Sequence, residues 1–128
     1  MNSKPAILIV EDDELSLKFF KLYLSKMFDL TMARTVEEFY QAVNSEKRFD
    51  LFLMDISLRD EKDGLELTKE LRETQRYKDC PIIALTANVF QRDEAAAYEA
   101  GVTKFLRKPI ENDKLLAELN KALNLGNN

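Results

Sequence analysis

Histidine and tryptophan are both absent, and the 128 residues hold one cysteine, three glycines and three prolines. Without histidine there can be no His-based zinc site, no Ser–His or Cys–His catalysis and no role as a phosphohistidine carrier. The lone Cys80 rules out an internal disulfide and suits a reducing compartment. Scarce glycine and proline beside 45% hydrophobic residues exclude wholesale disorder. No apolar run approaches the ~20 residues a bilayer span needs. The longest are Ala6 to Val10 and Leu51 to Met54, and the first leads straight into Glu11, Asp12 and Asp13, unlike a secretory signal. Basic excess is also missing. Lys plus Arg make 19 against 23 Asp plus Glu, a net charge of −4, a poor balance for neutralising nucleic-acid phosphates. The expectation is one cytoplasmic domain with no membrane or nucleic-acid partner, burying roughly two-thirds of its unfolded surface.

Five short apolar runs alternate with helical patterns. Ala6-Ile7-Leu8-Ile9-Val10 is continuous and branched, as a strand buried on both faces should be. A helical stretch follows from about Glu14 to Met27, with Leu17, Phe20 and Leu24 on one stripe and Leu15, Phe19 and Leu22 beside it. The second strand covers about Leu30 to Ala33, and Thr35 with Glu38 forms a capping-box pattern before a helix faced by Phe39, Ala42 and Val43. Leu51 to Met54 is the third strand, ending at Asp55; a polar loop from Ser57 to Gly64 leads to a helix with Leu65, Leu67 and Leu71 inward. Pro81 opens the fourth strand, which runs to Leu85. A helix from about Val89 to Ala100 closes at Gly101, Val102 to Leu106 form the fifth strand, and Leu115, Leu119, Ala122 and Leu123 stripe the last helix. The core spans about 6–123, and 124–128 read as a frayed tail. Such alternation predicts an α/β fold: a doubly wound five-stranded parallel sheet with five helices on both faces.

In open α/β sheets chemistry collects beyond the carboxyl ends of the strands. There stand Glu11-Asp12-Asp13, Asp55, Thr86 and Arg107-Lys108-Pro109. Any one of them can simply mark where a strand leaves the core. Together they crowd carboxylates that repel one another unless a cation compensates. Mg²⁺ suits such hard oxygen donors, and Lys108 adds a fixed positive charge. The set fits phosphoryl handling, where positioning and charge neutralisation provide most of the catalysis. A carboxylate can itself be the nucleophile, and Asp55 is the best-placed candidate.

At this point the chain resembles the receiver domain of bacterial response regulators. The matching stretches are Ile7 to Asp12, Asp50 to Asp55, Asp63-Gly64, Pro81 to Ala87 and Phe105 to Pro109, in order and at the right spacing. The resemblance implies a flavodoxin-like strand order of 2-1-3-4-5. It also implies that Asp55 accepts a phosphoryl group from a phosphohistidine on a sensor histidine kinase or a histidine phosphotransfer protein. Asp12 and Asp55 would bind Mg²⁺, with Mn²⁺ as a substitute, Glu11 would act through a water, and the Ser57 backbone carbonyl would add a ligand. Lys108 would pair with the phosphoryl oxygens, and the Thr86 hydroxyl would move toward one of them past the small Ala87. Phe105 stands at the family's switch aromatic, though a plain core role fits it equally well. The peptide before Pro109 would be cis. The domain would be a signalling phosphoacceptor, not an enzyme, assisting only its own phosphorylation and dephosphorylation. Output would pass to a downstream protein through the 89–123 face, where Ala95, Ala96, Ala97 and Tyr98 lie.

Departures are confined to one loop and one extra acid. Leu58-Arg59 replaces the family's usual Met-Pro, and Asp55 to Gly64 is one residue longer than commonest. Asp13 reads first as a helix cap or solvated neighbour and only second as a ligand. Ser57 and Asn88 lie two residues beyond Asp55 and Thr86, where family members tune hydrolysis of the acyl phosphate. The altered loop keeps open a pseudo-receiver that binds partners without phosphorylation. An Asp-nucleophile phosphohydrolase fits less well, because no second acid follows two residues after Asp55. Met1 and the short polar tail favour a stand-alone receiver, while the stretch around Ala84 to Asn88 is similar to hybrid-kinase receivers.

Overall fold

The computed structural model describes residues 4–58, 60–87 and 92–124, the side chains of 92 and 93 excepted. Its strands are β1 (Ala6–Val10), β2 (Asp29–Ala33), β3 (Leu51–Asp55), β4 (Ile82–Thr86) and β5 (Lys104–Arg107). The helices between and after them are α1 (Glu14–Leu24), α2 (Val36–Val43), α3 (Gly64–Arg72), α4 (Arg92–Ala100) and α5 (Asn112–Ala122). All strand pairs are parallel and the order is β2-β1-β3-β4-β5, as expected.

Side-chain alternation along the strands divides the core in two. Leu8, Val10, Phe52, Met54, Ile82, Ala84 and Phe105 face α2, α3 and α4. Ile7, Ile9, Leu51, Leu53, Ile83, Leu85 and Leu106 face Leu17, Phe20 and Leu24 of α1 and Leu115 and Leu119 of α5. Burial of both faces explains why the strands carry unbroken apolar runs instead of alternating ones.

Several boundaries differ from the sequence reading. Helix α1 stops at Leu24, because the Leu24 carbonyl takes the N–H groups of Met27 and Phe28, turning the chain so that Phe28 is buried. On the outer side of α1, Leu15 and Leu22 stand 76% and 71% exposed, and Phe19, Tyr23 and Met27 are exposed as well. Strand β5 begins two residues later than expected. Gly101 (φ 115°) and Val102 close the turn by donating to the Ala97 carbonyl, and Thr103 N–H reaches the Ile82 carbonyl before pairing starts. The Thr35 cap holds the Glu38 N–H at 3.0 Å, but the Glu38 carboxylate accepts from the Arg34 N–H instead of completing the box. A complete capping box forms at Asp63 and Glu66, opening α3. Residues 88–91, at the expected start of the fourth helix, lie outside the described residues, as do Arg59 and 125–128.

Arg72 ties the far end of the sheet together. From the last turn of α3 its guanidinium donates to the carbonyls of Cys80 (2.7 Å), Gly101 (2.8 Å), Tyr77 (3.0 Å) and Lys78 (3.3 Å). One half-buried arm thereby joins α3, the approach to β4 and the turn after α4.

Candidate functional site

The acids arrive from two adjacent strands. Val10 pairs with Met54, so the residues after β1 and the last residue of β3 emerge side by side. Glu11 is 1% exposed and Asp55 5%, while Asp12 is half-buried. One carboxylate oxygen from each of Glu11, Asp12 and Asp55 lies within 4.8 Å of the others. Asp13 turns away to cap α1, accepting from the Ser16 N–H (2.9 Å) and hydroxyl (2.7 Å), as its first reading expected.

Lys108 arrives from β5 across the mouth of the site, its Nζ donating to Glu11 Oε1 at 2.6 Å. Its N–H bonds the Thr86 carbonyl at 2.8 Å, and the Lys108–Pro109 peptide is cis. The other Glu11 oxygen accepts from the Asp13 N–H at 3.2 Å. Burial first, and then the Asp55 carboxyl alongside, push the Glu11 carboxyl up to about 7 against the opposing Lys108. Among the described residues, Lys108 is bonded to one of the three converging acids. These hard oxygen donors fit a small divalent ion such as Mg²⁺.

Beside Asp55, the Ser57 N–H donates to Asp55 Oδ1 at 2.9 Å, and the Ser57 hydroxyl shares a 3.1 Å bond with the buried Thr86 hydroxyl. Ala87, exposed, borders the same cavity of about 430 Å³ as Glu11, Asp12, Asp55, Ser57 and Lys108. Phe105 is buried, its N–H donating to the Tyr98 hydroxyl at 3.1 Å.

The described residues of the loop after β3 make specific contacts. Leu58 is buried in the core, and Asp60 accepts from the Val36 N–H at the start of α2 (2.9 Å) and from the Glu61 N–H (2.7 Å). Lys62 donates to the Tyr40 hydroxyl (2.7 Å) and to Glu70 (2.5 Å), bridging α2 and α3. These bonds lower the Asp60 carboxyl from its ordinary range, and Glu70 and the Tyr40 hydroxyl raise the Lys62 ammonium. None of this was visible in the sequence beyond the loop's high charge.

A second feature went unseen. An apolar groove of about 560 Å³, lined by Leu15, Phe19, Phe20, Leu85, Pro109 and Ile110, runs into the acidic cavity and shares Asp13, Ser16, Ala87 and Lys108 with it. The available signal was that α1 carries more large apolar residues than one inward stripe can bury.

The fold and pocket together define a doubly wound α/β domain whose carboxyl edge holds a cation-demanding acidic site. The model of the response regulator receiver domain family matches residues 7–120, and the chain belongs to that family, a module of two-component signalling. It is 33% identical to the polar-differentiation response regulator DivK of Brucella anthropi, over 92% of this chain and 95% of that one. It is 37% identical to the transcriptional regulatory protein GlrR of Escherichia coli K12, over 96% of this chain but only 27% of that longer protein. Among solved structures, the receiver domain of sensor histidine kinase PA1611 from Pseudomonas aeruginosa, with a magnesium ion coordinated in its active-site cleft, superposes with a TM-score of 0.85. That match has 28% identity and covers 95% of this chain and 99% of that one. A two-component response regulator from Clostridium difficile matches equally well, with a TM-score of 0.85 and 27% identity over 94% of this chain and 97% of that one. Among the described residues no helix is long and apolar enough to cross a membrane.

Proposed function

We propose that the chain is a single Mg²⁺-dependent receiver domain that takes a phosphoryl group onto Asp55 from a phosphohistidine on a sensor histidine kinase or histidine phosphotransfer protein. The observation that carries this reading is the convergence of Glu11, Asp12 and Asp55 within 4.8 Å, with Lys108 across their mouth. Asp12, Asp55 and the Ser57 carbonyl would hold Mg²⁺ or Mn²⁺, with Glu11 reaching it through a water. The bound ion supplies charge neutralisation for the phosphoryl oxygens.

The remaining work falls to the chain. Ser57 N–H orients the Asp55 carboxylate, whose oxygen attacks phosphorus. The P–N bond to the donor imidazole breaks and its electron pair returns to the ring. Lys108 leaves Glu11 for the phosphoryl oxygens, and the Thr86 hydroxyl donates to one of them. Ala87 leaves room for the transfer. Thr86 and Phe105 then bias two arrangements of the α4–β5–α5 face, which engages a downstream protein.

The apolar groove beside the pocket suits the donor. A helix carrying the phosphohistidine can lie on Leu15, Phe19 and Ile110 while its imidazole reaches Asp55. On this reading the domain works in the cytoplasm as a signalling phosphoacceptor that promotes only its own phosphorylation and dephosphorylation. The convergence of all three acids, beside the anchored Leu58, Asp60 and Lys62, speaks against a phosphate-free pseudo-receiver.

Intact mass after incubation with acetyl phosphate tests the proposal. One added phosphoryl group that requires Mg²⁺ and is lost in Asp55→Asn is expected. No gain in a folded protein that binds Mg²⁺, across several small phosphodonors, would overturn it.

A further inference from the structure

We infer that Ser57 is a positioning residue that latches Thr86 in the phosphate-free protein and so sets how readily the domain switches; this rests on Asp55 being the phosphoacceptor. The two hydroxyls lie 3.1 Å apart, and Thr86 is fully buried at the end of β4. Each hydroxyl has one hydrogen to give. Phosphoryl oxygens on Asp55 would be charged acceptors, binding a hydroxyl roughly twice as strongly as a neutral partner does. When Thr86 turns its oxygen toward them, the bond to Ser57 is lost.

The Ser57 backbone does not travel with Thr86. Its N–H is held by Asp55 Oδ1, and the chain beyond it is anchored by buried Leu58, by Asp60 on the start of α2 and by Lys62 between Tyr40 and Glu70. With the Ser57 backbone held and Thr86 turned away, the 3.1 Å Ser57–Thr86 bond belongs to the resting arrangement. Removing the Ser57 hydroxyl shifts the balance toward the switched one by the weight of an ordinary hydrogen bond, about fivefold.

Equilibrium binding of beryllofluoride with Mg²⁺, a phosphoryl mimic that needs no donor, tests this in the full chain. Ser57→Ala should bind about fivefold more tightly than the wild type. In the free protein, the Thr86 methyl resonance of Ser57→Ala should move toward its position in beryllofluoride-saturated wild type. Equal or weaker binding by Ser57→Ala, or a Thr86 methyl resonance that does not move, would overturn the latch alone. A wild-type protein that binds no beryllofluoride would take down the phosphoacceptor reading and the latch with it.

Discussion

Gly64 begins α3 directly against the end of β3, and the reason for glycine there is distance. A Cβ at this position would lie 2.5 Å from the Asp55 carbonyl oxygen and 2.7 Å from Ile56 Cα. Ordinary contact starts at 3.4 Å, so the shortfalls are 3.4 − 2.5 = 0.9 Å and 3.4 − 2.7 = 0.7 Å. Both obstacles are backbone atoms that cannot rotate aside. In Gly64→Ala either α3 lifts from the sheet or Asp55 and Ile56 shift. Overpacking of this kind costs about 1–3 kcal/mol. Better helix propensity returns at most about 1 kcal/mol, and less at a first helical position. The net loss is about 2 kcal/mol, or roughly 8 °C in Tm for a domain of this size. Thermal unfolding by circular dichroism reads the stability, and Mg²⁺ titration by calorimetry reads the site, whose affinity should fall because Asp55 itself is displaced. A Tm within about 1 °C of the wild type, with unchanged Mg²⁺ affinity, would refute the steric argument.

Glu11 titrates near 7 in the folded, metal-free protein, above the ordinary carboxyl value of 4.5. Its contribution to stability is full below that ordinary value and is lost as pH rises through about 7. Mg²⁺ requires the charged acids, so its affinity should be higher at about pH 8 than at about pH 6, as read from the Mg²⁺-dependent rise in Tm; equal affinities would contradict the burial argument. Arg72→Met removes bonds to four carbonyls and strands those of Cys80 and Gly101, because Tyr77 still accepts the Cys80 N–H and Lys78 is exposed; it should cost about 2–3 kcal/mol in urea unfolding. Lys62→Met should cost far less, because Lys62 is exposed enough to be screened and the Tyr40–Glu70 bond at 2.8 Å survives it. The reverse order would show that the arginine is not the tie between α3 and the sheet.

The fold was legible because its strands are buried on both faces, which writes five unbroken apolar runs into the sequence. Glu11, Asp12, Asp55, Thr86 and Lys108 were legible as a set because they all fall at strand ends, which a parallel sheet brings to one edge. Local termini were less so. The stop of α1 at Leu24 depends on burying Phe28, and the late start of β5 depends on Thr103 bonding Ile82, both tertiary events. The loop from Ser57 to Gly64 could be flagged by length and charge only. Its course is set by Asp60 meeting an α2 N–H 24 positions back and by Lys62 meeting Tyr40, pairings with no local periodicity. The Ser57–Thr86 bond likewise joins residues 29 positions apart and leaves no local trace.

The central claim is that Asp55 alone carries the phosphoryl group. Borohydride reduction after treatment with acetyl phosphate and Mg²⁺ converts an aspartyl phosphate to homoserine, and tandem mass spectrometry then locates it. The account predicts homoserine at position 55 and at no other aspartate. Reduction at Asp12 or Asp13, or a phosphoryl group that resists borohydride on a serine or threonine, would contradict it.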